Sequence, residues 1–147
     1  MGERIILLVE DNSDDEALTL RALAKANILN KVVVVRDGAQ ALDYLFMRGD
    51  FAARDSGESP QVVLLDLNLP KLGGLDVLRA IRSDPRTRML PVVVLTSSKQ
   101  DKDLIDGYSL GANSYVVKPV DFTQFSEAVR QLGLYWLVLN EQLPESR

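Results

Sequence analysis

The 147-residue chain carries 17 Lys and Arg against 21 Asp and Glu, a formal charge of -4, and has neither cysteine nor histidine. That composition suits one ordinary globular domain and argues against a phosphate-tracking nucleic-acid binder. It removes disulfides, thiolate chemistry, Ser-His-Asp triads, zinc–histidine sites and a histidine general base. No apolar run is long enough to span a bilayer. MGERIILLVED has no basic stretch ahead of a long apolar segment, so no leader is expected; the absence of cysteine fits a reducing cytoplasm, and a cytoplasmic setting without a membrane partner is the expectation.

In chain order, RIILLV (4–9) predicts a first strand, and SDDEALTLRALAKAN a helix with an acidic first turn under a Ser or Asn cap. VVVV (32–35) is a second strand and GAQALDYLFM a second helix. MRGDFAARDSGESP (47–60) is a long polar connection expected on the surface. VVLL (62–65), the helix LDVLRAIRSD, VVVL (92–95), the helix DKDLIDGYSLGAN and SYVV (114–117) follow. A last helix begins near Asp121 and is expected to reach about Leu143. β-Branched residues dominate the short runs, as in central parallel strands. The strict alternation predicts a single α/β domain over 1–147, a doubly wound five-stranded parallel sheet with five helices.

The last helix is long for such a domain. Phe122, Phe125, Val129, Leu132, Trp136, Leu139 and Leu143 form a three-four stripe expected to face the sheet. Leu134, Leu137 and Val138 project from the other side, either as a dimer or partner face or buried under a local loop. Four arginines, Arg79, Arg82, Arg86 and Arg88, are expected in a solvated helix end and loop.

In an open α/β sheet, ligands bind at the carboxyl ends of the strands. Those ends carry Glu10 and Asp11 on the first strand, Asp66 on the third, Thr96 on the fourth and Lys118 on the fifth. Each alone has a bland reading as a cap, a locally bonded hydroxyl or a surface lysine. Together at one edge they make a site. Three carboxylates against one lysine call for a hard divalent cation, Mg2+ or Mn2+, with oxygen ligands. The absence of GxxxxGK[ST] excludes a P-loop.

The pieces LLVEDN (7–12), LLDLNLP with GG following (64–74), VVVLTSS (92–98) and GANSYVVKP (111–119), in this order, resemble the receiver domain of two-component response regulators. The resemblance covers nearly the whole chain. It implies the flavodoxin-like strand order 2-1-3-4-5, which sets the first and third strands side by side. It implies that Asp66 accepts a phosphoryl group from a sensor histidine kinase, as a carboxylate nucleophile. Asp11 and Asp66 would ligate Mg2+ directly, Glu10 through water, and the Asn68 backbone carbonyl would join them. Lys118 and Thr96 would bind phosphoryl oxygens, Tyr115 would be the switch aromatic, and the Lys118–Pro119 bond would be cis. With no histidine in the chain, the donor imidazole belongs to another protein. Glu10-Asp11 stands where many members carry two aspartates, and Ser97 where a smaller residue is common and access is wider.

The long second loop, LNLPKLGG and the ending LGLYWLVLNEQLP resemble stand-alone receivers that partner bacterial phytochromes. That subgroup implies a light-sensing kinase as donor; no output domain is expected after the last helix, and Leu134, Leu137 and Val138 are the residues expected to carry a homodimer. Two other classes compete with a phosphorylation switch: a degenerate receiver that only binds partners, and a haloacid-dehalogenase-type phosphatase. The latter resembles DxD on the first strand, whereas Asp66 lies on the third and is followed two residues on by Asn68.

Overall fold

β-Branched and leucine residues build five strands: β1 (Ile5–Val9), β2 (Lys31–Val35), β3 (Pro60–Asp66), β4 (Val92–Thr96) and β5 (Ser114–Val117). In the computed structural model, which describes residues 5–26, 28, 30–54, 59–69, 72–97 and 111–132, all neighbours pair in parallel in the order β2-β1-β3-β4-β5. The helices among the described residues are α1 (Ser13–Lys25), α2 (Gly38–Phe46), α3 (Gly74–Ser83) and α4 (Phe122–Leu132). Of the helix expected at 101–113, residues 101–110 lie outside the described residues, and 111–113 lead without helix into β5.

Period-two alternation divides the core between the two faces of the sheet. Ile6, Leu8, Leu64, Leu95 and Val116 pack with Ala22 and Leu23 of α1 and with Phe125 and Ala128 of α4. Leu7, Val9, Val63, Leu65 and Val94 pack on the other face with Ala41 and Tyr44 of α2 and with Val77, Leu78 and Ile81 of α3. β1, β3 and β4 are covered on both sides, which is why their sequences read as continuous apolar runs.

Local signals set the helix starts. Asn12 caps α1 by accepting from Asp15 N, and Asp37 caps α2 by accepting from Gln40 N. Asp121 does the same for α4 through Gln124 N. The stripe on α4 begins later than its spacing suggested. Phe125 and Ala128 are buried, but Phe122 is 41% exposed, because the first turn overhangs the core. Leu134, Leu137 and Val138 lie outside the described residues, as does the expected continuation of the helix to Leu143.

The polar connection after α2 is ordered over its described part. A short 3-10 turn, Gly49–Phe51, sets the Phe51 ring edge-on to Tyr44 at 5.0 Å. Arg54 returns to donate to Tyr44 O and Leu45 O and lies over the Tyr44 ring. These contacts satisfy carbonyls that the end of α2 leaves open. Arg82 also departs from its expected solvated place: it is half-buried, and its guanidinium donates to the carbonyls of Arg88, Leu90 and Gly111.

Candidate functional site

Backbone pairing continues one residue past the strand ends, so the polar residues there are rigidly mounted. Glu10 N donates to Val35 O at 3.0 Å, Leu67 N to Leu95 O at 3.1 Å and Lys118 N to Thr96 O at 2.7 Å. Because β1 and β3 are neighbours, Glu10 and Asp66 meet at the centre of the edge. Glu10 is 0% and Asp66 1% exposed. Buried carboxylates at such a place cost several kcal/mol (order of magnitude) unless paired.

Lys118 supplies the pairing. Its Nζ donates to Asp15 Oδ2 at 2.8 Å, to Asp66 Oδ2 at 2.9 Å and to Glu10 Oε2 at 3.2 Å. Asp66 Oδ1 accepts from Asn68 N at 3.0 Å. Glu10 Oε2 also accepts from Asn12 N at 3.3 Å. Glu10 Oε1 is buried and accepts no hydrogen bond, although it too stands 3.2 Å from the ammonium. Burial and then the neighbouring Asp66 carboxylate push the Glu10 carboxyl up from 4.5 to about 7, against the pull of Lys118. For Lys118, burial acts to lower the pKa, but hydrogen bonds to Asp15 and Asp66 and the charges of Asp66 and Glu10 outweigh it, and the net shift is upward.

Carboxylate oxygens of Glu10, Asp11 and Asp66 all lie within 4.8 Å of one another, with Asp11 exposed at the mouth. An all-oxygen donor set, a net negative charge and the unbonded Glu10 Oε1 fit a hard divalent cation. Asn68 stands at the rim beside them, its side chain donating to Ser97 Oγ at 3.2 Å. Thr96 is buried at the end of β4, and Tyr115 sits half-buried on β5 against the α2–α3 side of the core. The Lys118–Pro119 peptide is cis. A Cβ on Gly74 would come within 2.6 Å of Asp66 O and of Leu67 Cα, so glycine is what lets α3 start against the loop after β3.

Asp15 is the residue that strand-end reasoning missed. Its sequence signal was ambiguous, because an acidic first turn is also what a helix N-terminus favours for its dipole.

A doubly wound α/β domain with an acidic cluster paired to a lysine at the carboxyl edge of its sheet defines a narrow class. The chain belongs to the response regulator receiver domain family, which it matches over residues 6–130. Receiver-domain response regulators are signalling proteins of two-component systems. The chain is 43% identical over 137 residues to the probable methanogenesis regulatory protein FilR2 of Methanothrix harundinacea, covering 92% of this chain and 85% of that protein. It is 35% identical over 134 residues to response regulator Rcp1 of Synechocystis, covering 91% of this chain and 89% of that protein. Among solved structures it is similar to the bacteriophytochrome response regulator RtBRR, with 55% identity, a TM-score of 0.88, and coverage of 99% of this chain and 87% of that one. A second, AtBRR, has 52% identity, a TM-score of 0.86, and coverage of 96% and 100%. These neighbours place the chain with the phytochrome-associated receivers. Among the described residues, no helix is long and apolar enough to cross a membrane.

Proposed function

We propose that this receiver takes a phosphoryl group from a phosphohistidine of a sensor histidine kinase onto Asp66, and that a bacterial phytochrome is the donor. The observation that carries the reading is the Asp66 carboxylate itself. It is buried on a rigid strand end, 2.9 Å from the Lys118 ammonium and grouped with Glu10 and Asp11. An Asp66 oxygen attacks phosphorus, the new P–O bond forms as the donor's P–N bond breaks, and the electron pair returns to the imidazole. Asp11, Asp66, the Asn68 carbonyl and, through water, Glu10 would hold Mg2+ (or Mn2+), which when bound would neutralise phosphoryl charge. Lys118 binds a phosphoryl oxygen as a point charge, and Thr96 places its hydroxyl on another. Tyr115 follows Thr96, and the surface around β5, α4 and the segment before β5 changes its partner preference.

Two relatives support the cofactor and the modification. One solved neighbour is the Mn2+-bound form of Rcp1, with 33% identity and a TM-score of 0.72. Another is the phosphorylated cyanobacterial phytochrome response regulator RcpA, with 39% identity and a TM-score of 0.74.

Incubation with Mg2+ and acetyl phosphate should add one phosphoryl group, read by intact mass, and Asp66→Asn should abolish the addition. Persistence of the modification in that variant would overturn the assignment. A panel of purified sensor kinases tests the donor, with fastest transfer expected from a bacterial phytochrome.

A further inference from the structure

We propose that Asp15 is a positioning residue for the phosphoryl-binding lysine, holding the Lys118 ammonium at the place from which it meets the incoming group. The inference rests on the phosphoacceptor reading above. An ammonium has three protons, and here each finds a carboxylate, with Asp15 the nearest at 2.8 Å. Two of the acceptors, Glu10 and Asp66, belong to the acidic group that fits a cation; Asp15 does not. Its carboxylate is therefore committed to the lysine.

The local structure aims it there. Asn12 accepts from Asp15 N at 2.9 Å, and Asn12 N donates to Glu10 Oε2. Glu10, Asn12, Asp15 and Lys118 thus close a ring that spans the end of β1, the first turn of α1 and the end of β5. The next residue, Glu16, has a different task, pairing with Arg36 to tie α1 to the end of β2.

The consequence concerns where the lysine charge sits. Facing only Glu10 and Asp66, Lys118 would be drawn wholly onto the two carboxylates that the cation needs, and would compete with it. Asp15 divides that pull. Once an Asp66 oxygen carries the phosphoryl group as an acyl phosphate, Lys118 loses part of its hold on that residue. The Asp15 contact then keeps the ammonium from swinging into solvent while it engages a phosphoryl oxygen.

The test compares D15N, D15E and E16Q, all in the full chain. D15N keeps the capping bond, which uses the backbone N–H. At saturating acetyl phosphate its phosphorylation rate should fall about ten- to a hundredfold. The half-saturating donor concentration should change less than about threefold, because the interaction matters most in the transition state. Mg2+ affinity, measured calorimetrically without any donor, should fall about threefold or more as Lys118 turns onto Glu10 and Asp66. D15E should recover most of both quantities, and E16Q should stay within about twofold of the parent. Parent-like rate and Mg2+ affinity in D15N would overturn the proposal. So would equal losses in E16Q, which would indicate a general charge effect, or failure of D15N to fold, which would make the role structural. A parent protein that takes no phosphoryl group would instead remove the phosphoacceptor reading.

Discussion

Lys118 and Arg82 occupy opposite ends of the same sheet, and each joins segments far apart in sequence. Arg82 donates to Gly111 O at 2.9 and 2.7 Å, to Leu90 O at 2.8 Å, to Arg88 O at 3.1 Å and to Asn113 Oδ1 at 3.0 Å. All are neutral oxygens, most of them on the backbone. Its planar fork fits several at once, and burial lowers its basicity without taking its charge. Lys118 has three carboxylates around a single point charge. The arginine end is locally satisfied and has no electrostatic reason to rearrange. The lysine end holds more negative charge than one ammonium can neutralise, which fits a cation and, on the proposed function, a group that redistributes charge. A staple and a switch differ here in the formal charge of their acceptors.

Breaking the staple should give the largest stability effect. Arg82→Met leaves several carbonyls without their donor and should lower the unfolding free energy by roughly 3 to 4 kcal/mol, read by urea denaturation. The phosphorylation rate of the folded fraction should not change. Loss of that rate with little loss of stability would reverse the roles assigned to the two ends.

The acidic end should show itself through pH. The folded Glu10 carboxyl is raised from 4.5 to about 7, so between those values the folded state binds a proton that the unfolded state releases. Metal-free stability contributed by this group is present below pH 4.5 and is lost as pH rises through about 7, by up to about 3 kcal/mol. Glu10→Gln should flatten that slope in denaturation curves, and so should saturation with Mg2+. An unchanged slope in Glu10→Gln would place the excess charge elsewhere.

The smallest expected effect lies on α3, the helix that reaches both ends. Gly74→Ala forces a Cβ toward Asp66 O and Leu67 Cα, both backbone atoms. A loss of about 1 to 2 kcal/mol is expected, together with slower phosphorylation as the loop after β3 shifts. A slower rate here beside a normal rate in Arg82→Met would separate the two ends of one helix.

Much of the architecture was legible because its signals are local. Buried parallel strands must be apolar on both faces, so RIILLV, VVLL and VVVL announce themselves, and Asn12 and Asp37 are side-chain caps that act within a few residues. Glu10, Asp66, Thr96 and Lys118 were legible for a related reason: a polar residue that ends or directly follows a buried strand must emerge at the sheet's edge. Phe122 misled because a three-four spacing gives a helix its apolar face but not how far its first turn extends over the core. Arg82 misled because its partners are backbone carbonyls, which no side-chain pattern reports.

The sequence by itself determined the strands, the alternation and the set of polar groups at their carboxyl ends, since each follows from periodicity or from a neighbour a few residues away. The tertiary structure decided which of several acidic residues is committed to Lys118 and which of four arginines is a staple. Those choices depend on contacts between residues separated in sequence, by 103 positions for Asp15 and Lys118 and by 29 for Arg82 and Gly111, which only the assembled sheet and its helices define.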